Sequence, residues 1–294
     1  MLTIKSSQFK LRYQFREYLF SKEQLQTSKP INPGNQSITN IRNSLNTLCL
    51  ALTFHISLAI SARKTAYILK NVFQLPISYQ SVLNYAQAAS YHCDRFNSHY
   101  KDKPDNINAG DETYIKISGK NAYTYFFISI PKRSITSYHV GDSRDEQDAI
   151  IAMNEVISNT PEDQKITFIT DGNPSYQAAV NYFNFNSKTS DKVTLKKVIG
   201  LQNLDSESEE FRYGKQIIER LNRTYKFHTK AANGFKIKNG AVAMTTLFVT
   251  HYNFLRPHFF LDYNPPIVLD FIKETDTLQE RWATILNKSF ELLN

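Results

Sequence analysis

Three acidic residues stand where a carboxylate can hold a ligand as well as face solvent. Asp111 lies in Ala109-Gly110-Asp111-Glu112-Thr113-Tyr114-Ile115-Lys116, and Asp171 in Ile169-Thr170-Asp171-Gly172. Glu219 lies in Gln216-Ile217-Ile218-Glu219-Arg220-Leu221-Asn222-Arg223-Thr224-Tyr225-Lys226. Magnesium prefers oxygen ligands and is commonly held by a few carboxylates, water and substrate phosphate. Two such ions about 4 Å apart activate an attacking oxygen and stabilise a leaving one at phosphorus. The chemistry expected of these three acids is therefore displacement at a phosphate, with Mg2+ or Mn2+ as cofactor and two ions in the site. Acids brought together without a cation repel one another, so at least one of them is expected to ionise at raised pH.

Such acids need elements that bring them together. The β-branched and aromatic runs Asp111 to Ser118, Tyr123 to Ile130 and Ile135 to Val140, joined by short turns, predict an antiparallel meander with Asp111 at its start. A helix over about 145–158, a buried strand 165–170, a helix from Pro174 and a fifth strand near 193–199 follow. Asp171 then ends the fourth strand, and strand ends in open α/β sheets are where ligand sites form. Around Glu219 the spacing is helical, with Ile217 and Leu221 on one side and Glu219, Asn222, Arg223 and Lys226 in a stripe roughly opposite. The polar stretch Gly200 to Gly214 reads as an inserted loop; its Glu210 is the competing third acid, in surroundings without helical periodicity.

Upstream, apolar spacing predicts a helix from Ile41 to His55, a second capped by Ser61, and a third capped by Ser78. The third turns Val82, Leu83 and Ala86 inward and leaves Tyr79, Gln80, Ser81 and Asn84 outward. Helix, turn and helix with exposed hydrogen-bonding side chains is the layout of a helix-turn-helix, whose second helix reads the major groove. The predicted organisation is a basic segment and linker over 1–37, a small all-α helix-turn-helix domain over 38–100, an α/β domain over 106–270 built on a mixed five-stranded sheet, and a C-terminal helix over 271–294.

Charge supports a polyanionic partner. Of the net +8, the whole excess lies in residues 1–105, with thirteen Lys/Arg against five Asp/Glu, while residues 106–294 balance at twenty-two each. Localised basic charge favours nucleic acid, since each neutralised phosphate releases counterions. The 41% hydrophobic content suffices for a large core. No uncharged apolar run is long enough to span a membrane, and Met1-Leu2-Thr3-Ile4-Lys5 lacks a signal-peptide pattern, so a cytoplasmic protein, associated with the nucleoid when DNA-bound, is expected. Cys49 and Cys93 fit neither zinc-site nor disulfide spacing and are read as buried thiols. His139, His228 and His251 have no partners at metal-ligand spacing and are read as structural, whereas Arg256 and His258 are read equally as DNA contacts or as caps.

At these residues the chain resembles the DDE transposases of bacterial insertion sequences, members of the integrase-like superfamily. The resemblance runs in order through Asp111-Glu112-Thr113-Tyr114-Ile115-Lys116, Thr170-Asp171-Gly172 and Ile218 to Lys226. It continues through Asn233-Gly234-Phe235 and Tyr252-Asn253-Phe254-Leu255-Arg256-Pro257-His258, covering about residues 41–269. It implies a ribonuclease-H-like catalytic domain, with Asp111, Asp171 and Glu219 as the metal-holding triad and Lys226 at the basic position used for a DNA end. It further implies hydrolysis at the element's ends, attack of the freed 3′-hydroxyls on target DNA, double-stranded DNA as partner, at least a homodimer, and no covalent intermediate or organic cofactor. One departure is visible: many relatives have a shorter interval before the glutamate, whereas forty-seven residues separate Asp171 from Glu219 here. Two alternatives share these residues: a metal-dependent nuclease that cuts without joining, and a transposase-derived DNA-binding protein with an inactive site.

Overall fold

The computed structural model describes residues 19–32, 34, 38, 43–186, 192–200 and 205–292. Strands β1 (Ile107–Ile117), β2 (Lys120–Ser129) and β3 (Ile135–Gly141) form the expected antiparallel meander. The β1–β2 turn is tight because Ser118 and Gly119 adopt φ of 50° and 77°. Strands β4 (Ile166–Thr170) and β5 (Val193–Lys197) then add in parallel, giving the order β3-β2-β1-β4-β5.

Alternation along β2 decides what each face of the sheet packs against. Tyr125 and Phe127 turn toward α4 (Glu146–Ser158) and α5 (Pro174–Asn186), in a core with Met153, Phe168 and Tyr176. Phe126 and Ile128 turn toward α6 (Ser206–Lys230) and α7 (Lys238–Thr250), in a core with Ile218, Tyr225 and Phe248. A mixed five-stranded sheet with helices on both faces is the architecture expected from the sequence.

The remaining helices are α1 (Leu45–Leu52), α2 (Ala62–Asn71), α3 (Tyr79–Tyr100) and α8 (Leu278–Glu291). Ser44, Ser61 and Ser78 cap the first three, and Thr277 with Glu280 closes a reciprocal capping box on α8. One apolar cluster joins Leu48 of α1, Leu69 of α2, Phe96 of α3 and Trp282 of α8 to Leu247 of α7 and to Phe254. Since Phe248 lies in the sheet-facing core, α7 packs into both layers.

The structure corrects several local expectations. Residues 206–214 are not an inserted loop but the first turns of α6, so Glu210 is helical. Asp205 caps that helix through the Ser208 amide, and acids in a first turn are favoured by the helix dipole, which offsets the missing apolar periodicity. Asp111 lies inside β1 rather than at its start, because Ala109 and Gly110 already pair with Ile128 and Phe127. The first helix begins at Leu45 and ends in a π-helical turn, Thr53–Ser57; the expected start at Ile41 lies outside the described residues, as does most of the basic segment 1–37. Leu83, expected to be inward, is exposed.

Candidate active site

Asp111 and Asp171 meet because β1 and β4 are adjacent and parallel, with Ala109 level with Ile169. Two residues further along each strand stand the two aspartates. One carboxylate oxygen from each of Asp111, Glu112 and Asp171 lies within 4.8 Å of the others. The Asp171 carboxylate is turned by its own backbone, accepting from the Asn173 amide at 2.9 Å just before Pro174 starts α5.

Glu219 approaches from the other side of the site. Lys215, one turn before it on α6, places Nζ 3.3 Å from Asp111 Oδ2 and 3.9 Å from Glu219 Oε1. The two carboxylate oxygens are therefore no further apart than those distances together. Asn222, one turn after Glu219, donates through Nδ2 to Asp111 Oδ2 at 3.1 Å. The acid-facing side of α6 is thus built at i, i+4 and i+7, as helical periodicity requires.

Burial pushes the Asp111 carboxyl up to about 6; Lys215 opposes this, and Glu112 and Asp171 add to it. Glu112 is a different kind of acid. Its carboxylate is 2% exposed and is held by Arg144, by the Tyr176 hydroxyl, and by Asn173 Nδ2 at 3.3 Å. Arg144 also donates to Asp171 Oδ2 at 3.0 Å, tying the two acids together. Glu219, by contrast, is 34% exposed, and Lys215 is the one cation that reaches it among the described residues.

The donor set suits a hard divalent cation. Asp111, Asp171 and Glu219 offer oxygen only, and Asn222 Oδ1 is buried beside Asp111 without a hydrogen-bond partner. Among the described residues no sulfur or imidazole joins them: Cys49 and Cys93 are buried thiols in the helical layer, each pushed up to about 12 by burial.

The residues read as DNA contacts fall into four settings. Lys116, Arg223 and Lys226 are exposed, with Lys226 Nζ 4.7 Å from the centre of the Tyr114 ring. Asn222, read as part of that outward stripe, is instead buried against Asp111. Tyr79, Gln80, Ser81 and Asn84 begin α3, where Arg63 stacks on Tyr79 and Gln80 donates to Asn84 at 3.0 Å. Arg256 lies over the Tyr252 ring, and the imidazole of His258 meets that ring edge to face. His139 pairs with Asp148 at 3.2 Å, and His228 and His251 are buried.

Glu112, Arg144, Lys215 and Tyr176 escaped the sequence reading. Only Lys215 had a usable signal, its i, i+4 spacing to Glu219.

The family described as a DDE domain matches residues 107–250, which span β1 to the end of α7. Among the solved structures that resemble the chain are two viral ones. One is a simian T-cell lymphotropic virus intasome in complex with PP2A regulatory subunit B56 gamma, at 16% identity and a TM-score of 0.37, covering 67% of this chain and 70% of that one. The other is the HTLV-2 integrase catalytic core domain in complex with magnesium, at 15% identity and a TM-score of 0.35, covering 55% of this chain and 93% of that one. Among curated proteins none matches.

Proposed function

We propose, from the match of residues 107–250 to the DDE domain family, that this chain is a transposase of that family, which binds the ends of an insertion sequence, cuts DNA there and joins the freed ends to a target. The family supports polynucleotidyl transfer as the reaction class. The observation that supports the finer reading is the convergence of Asp111 and Asp171 on adjacent strands, with Glu219 of α6 sharing Lys215 with Asp111.

Asp111, Asp171 and Glu219 are the residues that would hold Mg2+ or Mn2+, in a two-ion site. Such ions supply activation of the attacking oxygen and stabilisation of the leaving oxygen at phosphorus. Asn222 orients Asp111, and Asn173 with Arg144 orients Asp171. Exposed Lys116, Arg223 and Lys226 provide charge for phosphates, Arg223 one turn beyond Glu219 on α6 and Lys116 five residues beyond Asp111 on β1. Tyr79, Gln80, Ser81 and Asn84, at the start of α3, are proposed to contact duplex DNA in the manner of a helix-turn-helix.

Pairing two DNA ends calls for at least a dimer. Among the described residues no helix is long and apolar enough to cross a membrane; a cytoplasmic protein that joins the nucleoid on binding DNA is proposed.

The test uses DNA carrying the inverted repeats that flank the gene, incubated with protein and Mg2+ or Mn2+. Cleavage at the repeats and joining of pre-cleaved ends to a plasmid are expected, with both lost in Asp171→Ala while DNA binding persists. Cleavage without joining would favour a nuclease. Unchanged cleavage by Asp171→Ala would refute the site.

A further inference from the structure

Strand β1 is covered on its β4 side only from Ile107 to Ala109. Beyond Asp111 that edge runs unpaired until Ile117, where a single bridge to Phe235 closes it, with Phe235 N donating to Lys116 O at 2.7 Å and Ser118 N to Phe235 O at 2.8 Å. An open edge thus leads from the acids to the loop after α6.

Tyr114 stands on this stretch and is 58% exposed. Its neighbour Ile115 packs beneath α6 with Tyr225, so Tyr114 alternates onto the opposite face of the sheet. Lys226 projects from α6 yet sets Nζ over the Tyr114 ring, so its side chain reaches around the uncovered edge. Lys116, Arg223 and Lys236 are exposed nearby and have no carboxylate partner among the described residues. Phe227, beside Lys226, is 67% exposed. Aromatic faces interleaved with unpaired cations suit a nucleic-acid strand whose bases are free to stack, because every base has a π-face, and inside a duplex that face is already taken by the neighbouring pairs.

We infer that Tyr114 is a stacking platform for an unpaired nucleotide close to the cleaved bond, with Lys226 and Lys116 on the phosphates that flank it. Three residues of strand separate the backbones of Tyr114 and Asp111 by about 10 Å, about three nucleotide rises. A nucleotide drawn out of the duplex there lets the backbone bend toward the acids, and unpairing costs least where the base is already free. The inference rests on the DNA-cutting reading above and adds to it a preference for frayed or single-stranded DNA.

Three fluorescein-labelled probes of one sequence test this by anisotropy at fixed salt: a blunt duplex, the same duplex with a 3′ overhang, and the single strand. The intact protein should bind the overhang more tightly than the blunt duplex. Tyr114→Ala should weaken overhang and single-strand binding by about tenfold and leave the blunt duplex alone, and Tyr114→Phe should restore it. Lys226→Ala should weaken all three probes and lower the salt slope by about one. Loss of the overhang preference in Tyr114→Ala, with an unchanged unfolding midpoint, supports the platform. An overhang preference that survives Tyr114→Ala, or blunt binding with no preference in the intact protein, overturns it. An intact protein that binds none of the probes overturns the nucleic-acid reading as well.

Discussion

Lys215 Nζ and Asp111 Oδ2 stand 3.3 Å apart, with side chains only 8% and 14% exposed. Even so, burial leaves the Asp111 carboxyl at about 6, because one ammonium shared with Glu219 does not offset desolvation and two neighbouring acids.

A pH dependence follows. The folded protein holds a proton on Asp111 at pH values where the unfolded chain has released it, so stability falls as pH rises from about 4 to about 6 and remains lower above. Two units correspond to about 3 kcal/mol. In EDTA at pH 8, Asp111→Asn should therefore be more stable than the parent protein by up to about 3 kcal/mol while losing cleavage. Urea unfolding across pH checks this. Equal stability of the two proteins at pH 8, with parallel pH profiles, would show that Asp111 is not strained by burial.

The two candidate third acids should separate cleanly. Glu112 is spent on Arg144, Asn173 and the buried Tyr176 hydroxyl. Truncating it leaves that hydroxyl unpaired, so Glu112→Ala should cost about 1–3 kcal/mol of stability. Glu219→Gln should shift stability by less than about 0.5 kcal/mol and weaken Mn2+ binding, measured by titration calorimetry. Should Glu112→Gln abolish Mn2+ binding and Glu219→Gln leave it intact, the third ligand is Glu112.

Asn222 offers a further check on how Asp111 is aimed. Its Nδ2 holds Asp111 Oδ2 at 3.1 Å from a buried position. Removing a group that orients a ligand commonly costs 10–100-fold in metal affinity or activity, and Asn222→Ala should lie in that range with DNA affinity unchanged. Weaker DNA binding at normal metal affinity would return Asn222 to the DNA-contacting stripe.

Much of this was readable in sequence. The meander, the position of Asp171 beyond β4 and the helix bearing Glu219 follow from β-branched runs, glycine placement and apolar spacing, which are local signals. Lys215 and Glu112 were harder because their roles depend on which strand lies next to which. A glutamate beside Asp111 points to the other sheet face by alternation, and only α4 and α5 supply its partners Arg144, just before α4, and Tyr176 on α5. The start of α6 was misread for a similar reason: a solvent-facing acidic first turn carries no apolar period, and its evidence is the Asp205 cap. The length of α3 was hidden too, since its later turns are recognisable as core only once α7 and α8 lie against them.

That shared packing yields the last prediction. Trp282, the only tryptophan, is fully buried and donates Nε1 to Ser57 Oγ at 2.9 Å, in the cluster that includes Leu247 of α7. Its neighbour Phe248 packs on Tyr225 and Phe126 in the sheet-facing core. Because one helix belongs to both cores, loosening the helical layer should loosen the sheet layer with it. Tryptophan fluorescence, which reports the first, and far-UV circular dichroism, which reports the whole, should give the same denaturation midpoint. Trp282→Ala, which empties a large core position, should lower stability by about 3–5 kcal/mol and should also reduce cleavage near the new midpoint. If fluorescence changes well before the dichroism, the helical layer unfolds by itself and α7 does not couple the two.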